Sequence, residues 1–441
     1  MMLFMPGGAG AESFDKVFLK CSSVTAGAQW LPVNYPTSSG RLHYLYNDNT
    51  LESIALVDKD GNIIWQKYEY RDNGGASTVN DPVIATYLDN IYMFGQETVG
   101  GTGYNFLMKI NVSDGSIAWT KRMRLAGPKI IKVGNDGDAY IRADADGIFV
   151  SGEVSGENRI AAMHFATDGT HQWSVLVDTH TNTVDSFRGM AISPNYAYTL
   201  YAVNGSEGYF LNCFNRSTGA LVWDKCPDSN GDFFGMDWYG SELYLFTKGT
   251  EGANAAPHVM VVNDSTGALV RQAYWPAAGA EMSRGMGIAV NSFGVCFAYE
   301  VQDVPSTIDW SMDVVVSDHA LTTIIWDKGF TRTPTFYLYN LITPGNVHSI
   351  PNGFLVGHWH NDISATDSGA MLTIAGNNGK NIVADVQSYF RAEGATGSLT
   401  PGSTSTIDAN AKGIAANTPT VSSETGTNSG DASLTMSTSW S

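Results

Sequence analysis

The chain is poor in positive charge and in cysteine, and it has no long apolar run. Lys and Arg number 25 against 43 Asp and Glu, a formal net charge of −18 over 441 residues. Such a surface repels phosphate backbones and anionic lipid, so neither nucleic acid nor a membrane is an expected partner. The four cysteines, Cys21, Cys213, Cys226 and Cys296, stand apart without a C-x-x-C or an adjacent pair. That excludes a zinc ribbon and a dithiol redox motif. Cys213 and Cys226 are close enough in sequence to pair across strands, but buried free thiols are the expectation. Nothing approaches the roughly 18 apolar residues of a membrane-spanning helix. The opening "MMLFMPGGAGAESFDKVFLKC" lacks a basic n-region, breaks its apolar run at Pro6, and has Lys20 where a lipoprotein cleavage box needs a small residue, so no export is expected. No G-x-S-x-G elbow, H-E-x-x-H helix or Walker loop occurs. We therefore expect no catalytic residues, no cofactor and no metal.

What the chain has in quantity is glycine, 47 residues, and aromatics, 11%, with only 15% charged residues. That balance suits short strands and tight turns. A motif recurs: "VDKDGNIIW" (57–65), "NVSDGSIAW" (111–119), "FATDGTHQW" (165–173), "NRSTGALVW" (215–223), "NDSTGALVR" (263–271), "SDHALTTIIW" (317–326) and "AGNNGKNIV" (375–383). A second motif, an apolar strand and a turn followed by alternating aromatic and aliphatic positions, precedes each copy, as in "YLDNIYMFG" (87–95) and "YGSELYLFT" (239–247). Two hairpins per unit and about fifty residues between units predict an all-β chain. Its expected form is a seven-bladed β-propeller of four-stranded antiparallel blades, because helical repeats of that length would show a 3.6-residue period. The tryptophans Trp65, Trp119, Trp173, Trp223 and Trp326 are then blade-docking residues, buried between adjacent blades. Copies ending at Arg271 and Val383 lack the Trp, and "SDHALTTIIW" lacks the Gly, so three joints are expected to be weaker. The propeller should occupy 28–394. Residues 1–27 would form an N-terminal arm able to add a ring-closing strand, and the Ser/Thr/Gly-rich 395–441 an extension for assembly contacts.

"DPVIATYLDNIYMFG" with "FLMKINVSDGSIAW", and the closer copies "NRSTGALVW" and "NDSTGALVR", resemble the quinoprotein-like (PQQ-like) propeller repeat. Quinone-dependent dehydrogenases of that type carry eight blades and an adjacent cysteine pair, neither of which is encoded here. The style of unit also resembles virion proteins of tailed, especially marine, bacteriophages. That resemblance implies a non-catalytic structural component of the particle in the tail, a fibre or the capsid exterior. Its partners would be other virion proteins or further copies, with host-surface glycans as candidates at the loops. The alternative is a carbohydrate-binding or carbohydrate-active propeller.

Other residues able to carry chemistry are weighed against ordinary packing. His358, His360 and Asp362 in "GHWHND" alternate on one strand face as metal ligands could, but no third cluster is in view and a polar strand face is expected. "RADADG" (142–147) has the acid density of a calcium loop without its spacing, so an Asp-rich turn is expected. The carboxylate pairs Glu251 with Glu281 and Asp303 with Asp309 cannot be placed together from sequence. Tyr239, Trp275, Trp310 and Tyr337 could stack on sugars or pack within blades.

Overall fold

The structure, a computed structural model, describes the chain between residues 35 and 390. Residues 1–34, 391–441 and several connecting segments lie outside the described residues, and with them the arm and the extension. All described regular elements are strands. They form seven antiparallel sheets in chain order, six of four strands and the last of five. We number them sheet 1 (35–68), sheet 2 (80–123), sheet 3 (139–178), sheet 4 (184–225), sheet 5 (232–274), sheet 6 (281–331) and sheet 7 (336–390). Within sheets 1 to 6 the strands lie side by side in sequence order, so each unit is two successive hairpins.

The turn between third and fourth strands repeats with its chemistry. In sheet 4 the Asn215 carboxamide accepts the amides of Ser217 and Thr218 at 3.1 and 3.0 Å. Gly219 then turns the chain at φ +72, a left-handed conformation that glycine adopts at little cost. The Asn215 amide closes the loop on the Ala220 carbonyl at 2.8 Å. Two residues on, the pairing slips: Phe214 faces Leu221 and Cys213 faces Trp223, leaving Val222 as a β-bulge. The same slip precedes Trp65, Trp119, Trp173, Arg271 and Trp326. A bulge reverses the alternation of side chains. Leu221 therefore faces solvent, 45% exposed, while Trp223 packs against the neighbouring sheet. This is why the tryptophan sits four residues after the glycine.

The core is a series of layers between sheets. One cluster joins sheets 1 and 2 through Leu56, Trp65, Ile84 and Met93. The cluster between sheets 3 and 4 is built on Phe149, Ile160, Phe187, Tyr201 and Phe214. Four more fill the spaces between sheets 2 and 3, 4 and 5, 5 and 6, and 6 and 7. Sheets 2 to 6 thus bury both faces, each large side chain contributing about 1.5–3 kcal/mol. The first strands of sheets 2 to 6 lie beside one another, from Asn80–Tyr87 to Glu281–Asn291, and Val347–Ile350 of sheet 7 continues the row. They form the inner row, and the fourth strands the outer row.

Candidate functional site: the joints between sheets

Four of the docking tryptophans, Trp65, Trp119, Trp173 and Trp223, meet the glycine turn of the following sheet, not their own. Trp65 is buried and donates its indole Nε1–H to the Val112 carbonyl at 2.6 Å. A Cβ on Gly115 would lie 2.7 Å from its ring. Trp173 repeats this, donating to the Arg216 carbonyl at 2.8 Å over Gly219, where a Cβ would stand 2.6 Å from the indole. Glycine is thus required twice, for its φ and for the absence of a side chain beneath the ring. Trp119 and Trp223, over Gly169 and Gly267, are half-buried. Trp223 Nε1 has no hydrogen-bond partner among the described residues, and the matching carbonyl, that of Asp264, accepts the Tyr198 hydroxyl at 3.2 Å. Trp326 is buried among Val347, Phe354 and Val356 of sheet 7.

Between sheets 3 and 4 the joint carries a buried guanidinium. Arg216 is 5% exposed. It donates to the Ser193 carbonyl at 2.7 Å and to the Asp144 carboxylate, with Asp146 at 3.2 Å. Its plane lies over Phe149 at 4.8 Å. His164 stacks on the same ring, centroids 4.1 Å apart and 6° from parallel, with Nε2 3.1 Å from the Asp146 carbonyl. Burial lowers the His164 pKa, and the Arg216 charge adds to the effect against the opposing backbone bond and carboxylates. A charge so enclosed is tolerable only when paired. The carboxylates of "RADADG" are therefore engaged by an arginine of the next sheet.

Between sheets 5 and 6 a different solution appears. Arg271 occupies the tryptophan position and reaches the His319 carbonyl at 2.9 Å through Nε. That carbonyl is equivalent to those of Val112 and Arg216. Two further N–H groups grip Glu242 at 2.5 and 2.6 Å, and one donates to the Tyr244 hydroxyl at 3.0 Å. These bonds from Arg271 hold the Glu242 carboxyl below the usual carboxylate range. Leu321 takes the left-handed turn, φ 60, that glycine supplies elsewhere. His319 stacks on Tyr239 at 4.7 Å and donates Nε2–H to the Asn291 carbonyl at 2.7 Å. Trp275, 9% exposed, packs on Phe297 at 4.6 Å and supplies apolar area to this layer. The joint that lacks both Trp and Gly, expected to be weaker, is a charge-assisted clamp.

Tyr239 and Trp275 are thus packing residues. Trp310 and Tyr337 lie on strands, with side chains outside the described residues, as are those of Glu251 and Glu281, while Asp303 and Asp309 lie outside altogether. His358 and His360 sit two apart on Gly353–Asp362, paired in register with Ala370 and Ser368, and Asp362 with Phe336. Their side chains, too, are outside the described residues. Among the described residues no three His, Cys, Asp or Glu side chains group as metal ligands. Cys213 and Cys296 are buried free thiols, which burial raises in pKa, and Cys226 is exposed.

Two positioning features are not apparent from the tryptophan repeat. Asp237, on the inner strand of sheet 5, accepts the Val290 amide of sheet 6 at 2.7 Å and the Trp238 amide at 2.9 Å. Burial pushes its carboxyl up, against those bonds and the Arg142 charge. The inner-strand bulges skip Arg188 and Phe234, immediately before Gly189 and Gly235, in "FRGM" and "FFGM". A Cβ on Gly189 would meet Met236 at 3.1 Å. That second small repeat was the available signal.

A family model described as outer membrane protein assembly factor BamB matches residues 50–232. Over those residues the chain is similar to a PQQ-like β-propeller repeat. A comparison with curated proteins finds no match. Among solved structures, BamB from Moraxella catarrhalis aligns at 11% identity over 84% of this chain and all of that one, with a TM-score of 0.39. The quinohemoprotein alcohol dehydrogenase from Comamonas testosteroni aligns at 10% over 85% and 78%, with 0.43. A putative 6-phosphogluconolactonase from Bacteroides uniformis aligns at 10% over 83% and 100%, with 0.44. Scores at this level identify neither activity nor ligand.

Proposed function

We propose that the chain is a closed, seven-bladed propeller acting as a non-catalytic structural component of a tailed-phage virion, at the tail, a fibre or the capsid exterior. Closure is supported by the first strand, Tyr35–Pro36, which lies beside both Asn80–Tyr87 of sheet 2 and Val347–Ile350 of sheet 7. The observation that carries the scaffold reading is where the chemically capable side chains go. Arg216 with Asp144, Arg271 with the His319 carbonyl, and Asp237 with the Val290 amide each join one blade to the next, while Glu242 and His164 are engaged within their own blades beside those contacts. Groups so engaged rigidify a ring and are not free to turn over a substrate. The virion assignment rests on the style of the repeat and on the Ser/Thr/Gly-rich sequence 395–441. Mass spectrometry of purified particles is the test, and absence of the chain from them removes the assignment. Incubation with polysaccharides tests the scaffold reading separately, since cleavage products would establish a carbohydrate-active propeller.

A further inference from the structure

The layer between sheets 3 and 4 departs from an apolar pattern that the other layers keep. One residue before the partner of the docking Trp or Arg, the third strand pairs with the second on the face turned to the preceding sheet. The pairs are Met93 with Met108 in sheet 2, Val150 with Met163 in sheet 3, Leu245 with Met260 in sheet 5 and Phe297 with Val315 in sheet 6. All eight are buried and apolar. In sheet 4 the same place holds Thr199 opposite Asn212, both at 0% exposure.

The facing wall changes as well. Toward the following sheet, sheets 2, 4, 5 and 6 turn the pairs Phe94–Leu107, Leu200–Leu211, Phe246–Val259 and Ala298–Val314, whereas sheet 3 turns Ser151–Ala162. Between sheets 2 and 3, 4 and 5, and 5 and 6, the two facing pairs pack into one apolar cluster. Between sheets 3 and 4 they bring three polar side chains together.

These polar groups are not all satisfied by one another. The Ser151 hydroxyl donates to the Ala161 carbonyl at 2.7 Å. Thr199 Oγ1 and both Asn212 amide atoms, Oδ1 and Nδ2, have no hydrogen-bond partner among the described residues. Tyr201, two residues from Thr199 on the same face, lies near them. Burial pushes its hydroxyl up to about 12, with Asn212 acting against the rise and Asp224 adding to it. A buried hydroxyl and carboxamide left unpaired cost far more than the apolar pair that the repeat supplies in every other described sheet from 2 to 6.

We infer that the layer between sheets 3 and 4 holds a bound water molecule, hydrogen-bonded to the Thr199 hydroxyl and the Asn212 carboxamide. Water suits the site because the three open atoms are uncharged and include both a donor and an acceptor. Buried waters make about three hydrogen bonds, which matches them. From Asn212 the cross-strand row continues to Asp224 on the exposed outer strand, a polar route for exchange with solvent.

The test uses the purified full chain and does not depend on the virion assignment. In a high-resolution crystal structure, density for a water should lie within about 3.2 Å of Thr199 Oγ1 and of an Asn212 amide atom. In solution, magnetic relaxation dispersion of the water oxygen nucleus should report a long-lived internal water that Thr199→Val/Asn212→Leu removes, with circular dichroism unchanged. If that variant does not fold, the crystal structure of the parent decides alone. Clear density with nothing between the two side chains, Thr199 and Asn212 bonded to each other or to Tyr201 instead, or a dispersion amplitude unchanged in the folded double variant would each overturn the inference.

Discussion

The joint between sheets 3 and 4 and the joint between sheets 5 and 6 occupy the same place in the repeat and hold it by different forces. In the first, the Trp173 indole lies on a bare glycine and spends its one N–H on the Arg216 carbonyl. In the second, the Arg271 guanidinium meets the equivalent carbonyl of His319 and carries Glu242 with it. At this joint the tryptophan and the glycine are both absent. An indole needs an empty surface beneath it, whereas a guanidinium reaches past Leu321 and needs a carboxylate. The repeat conserves one carbonyl acceptor per turn and lets the donor vary.

Four measurements press on this contrast. The largest effect is expected for Trp173→Ala, which removes a buried ring and its hydrogen bond and should cost about 3–5 kcal/mol in denaturant unfolding. An equal loss for Arg271→Ala would mean the joints are energetically alike. Gly219→Ala should cost about 2 kcal/mol, since the methyl meets both an unfavourable φ of +72 and the indole at 2.6 Å. Arg271→Met keeps the stem and removes the clamp. With both partners about a quarter exposed, the expected loss is about 1 kcal/mol, shrinking with added salt while that of Trp173→Ala does not. Arg271→Trp should not restore stability, because Leu321 fills the place of the glycine.

The smallest effect is in pH. His164, lowered from 6.5 by burial, binds its proton more weakly folded than unfolded. Its contribution is therefore complete above about pH 6.5 and declines as pH falls below it. Glu242 is shifted down from 4.5 by Arg271, so the guanidinium joint keeps its contribution until pH drops below about 4.5. Urea titrations between pH 4.5 and 6.5 should show a slope in the parent chain that His164→Phe flattens and Glu242→Gln leaves in place.

Much of this architecture can be read from residue spacing. Gly and Trp recur in register after a strand–turn–strand motif, and that pattern implies four-stranded antiparallel units in series. The joints themselves are less legible. That Trp173 serves Gly219, and not Gly169 of its own turn, depends on which way neighbouring sheets stack, and spacing carries no such direction. The expectation of a weak joint at Arg271 counted a missing ring, because the compensating groups, Glu242 and the His319 carbonyl, are 29 and 48 residues away. The "RADADG" carboxylates raised the question of a metal, since their partner Arg216 is 72 residues from Asp144. Long-range pairings of polar groups leave no period. Apolar faces, which need only a neighbour of any kind, do.

Sheets 1 to 6 each extend a ring or a guanidinium from the fourth strand, and sheets 2 to 6 each present a turn that receives the one before. The array consequently has a direction, like boards cut with a tongue on one side and a groove on the other. The unit that can be duplicated or exchanged without leaving a gap is offset from the sheet: it runs from one acceptor turn to the residue that engages the next. A module ending in Arg271 fits only before a turn like that of His319 and Leu321, and a module ending in tryptophan only before a glycine. Rearrangements of such a chain are constrained less by the sequence inside a blade than by the match at its seams.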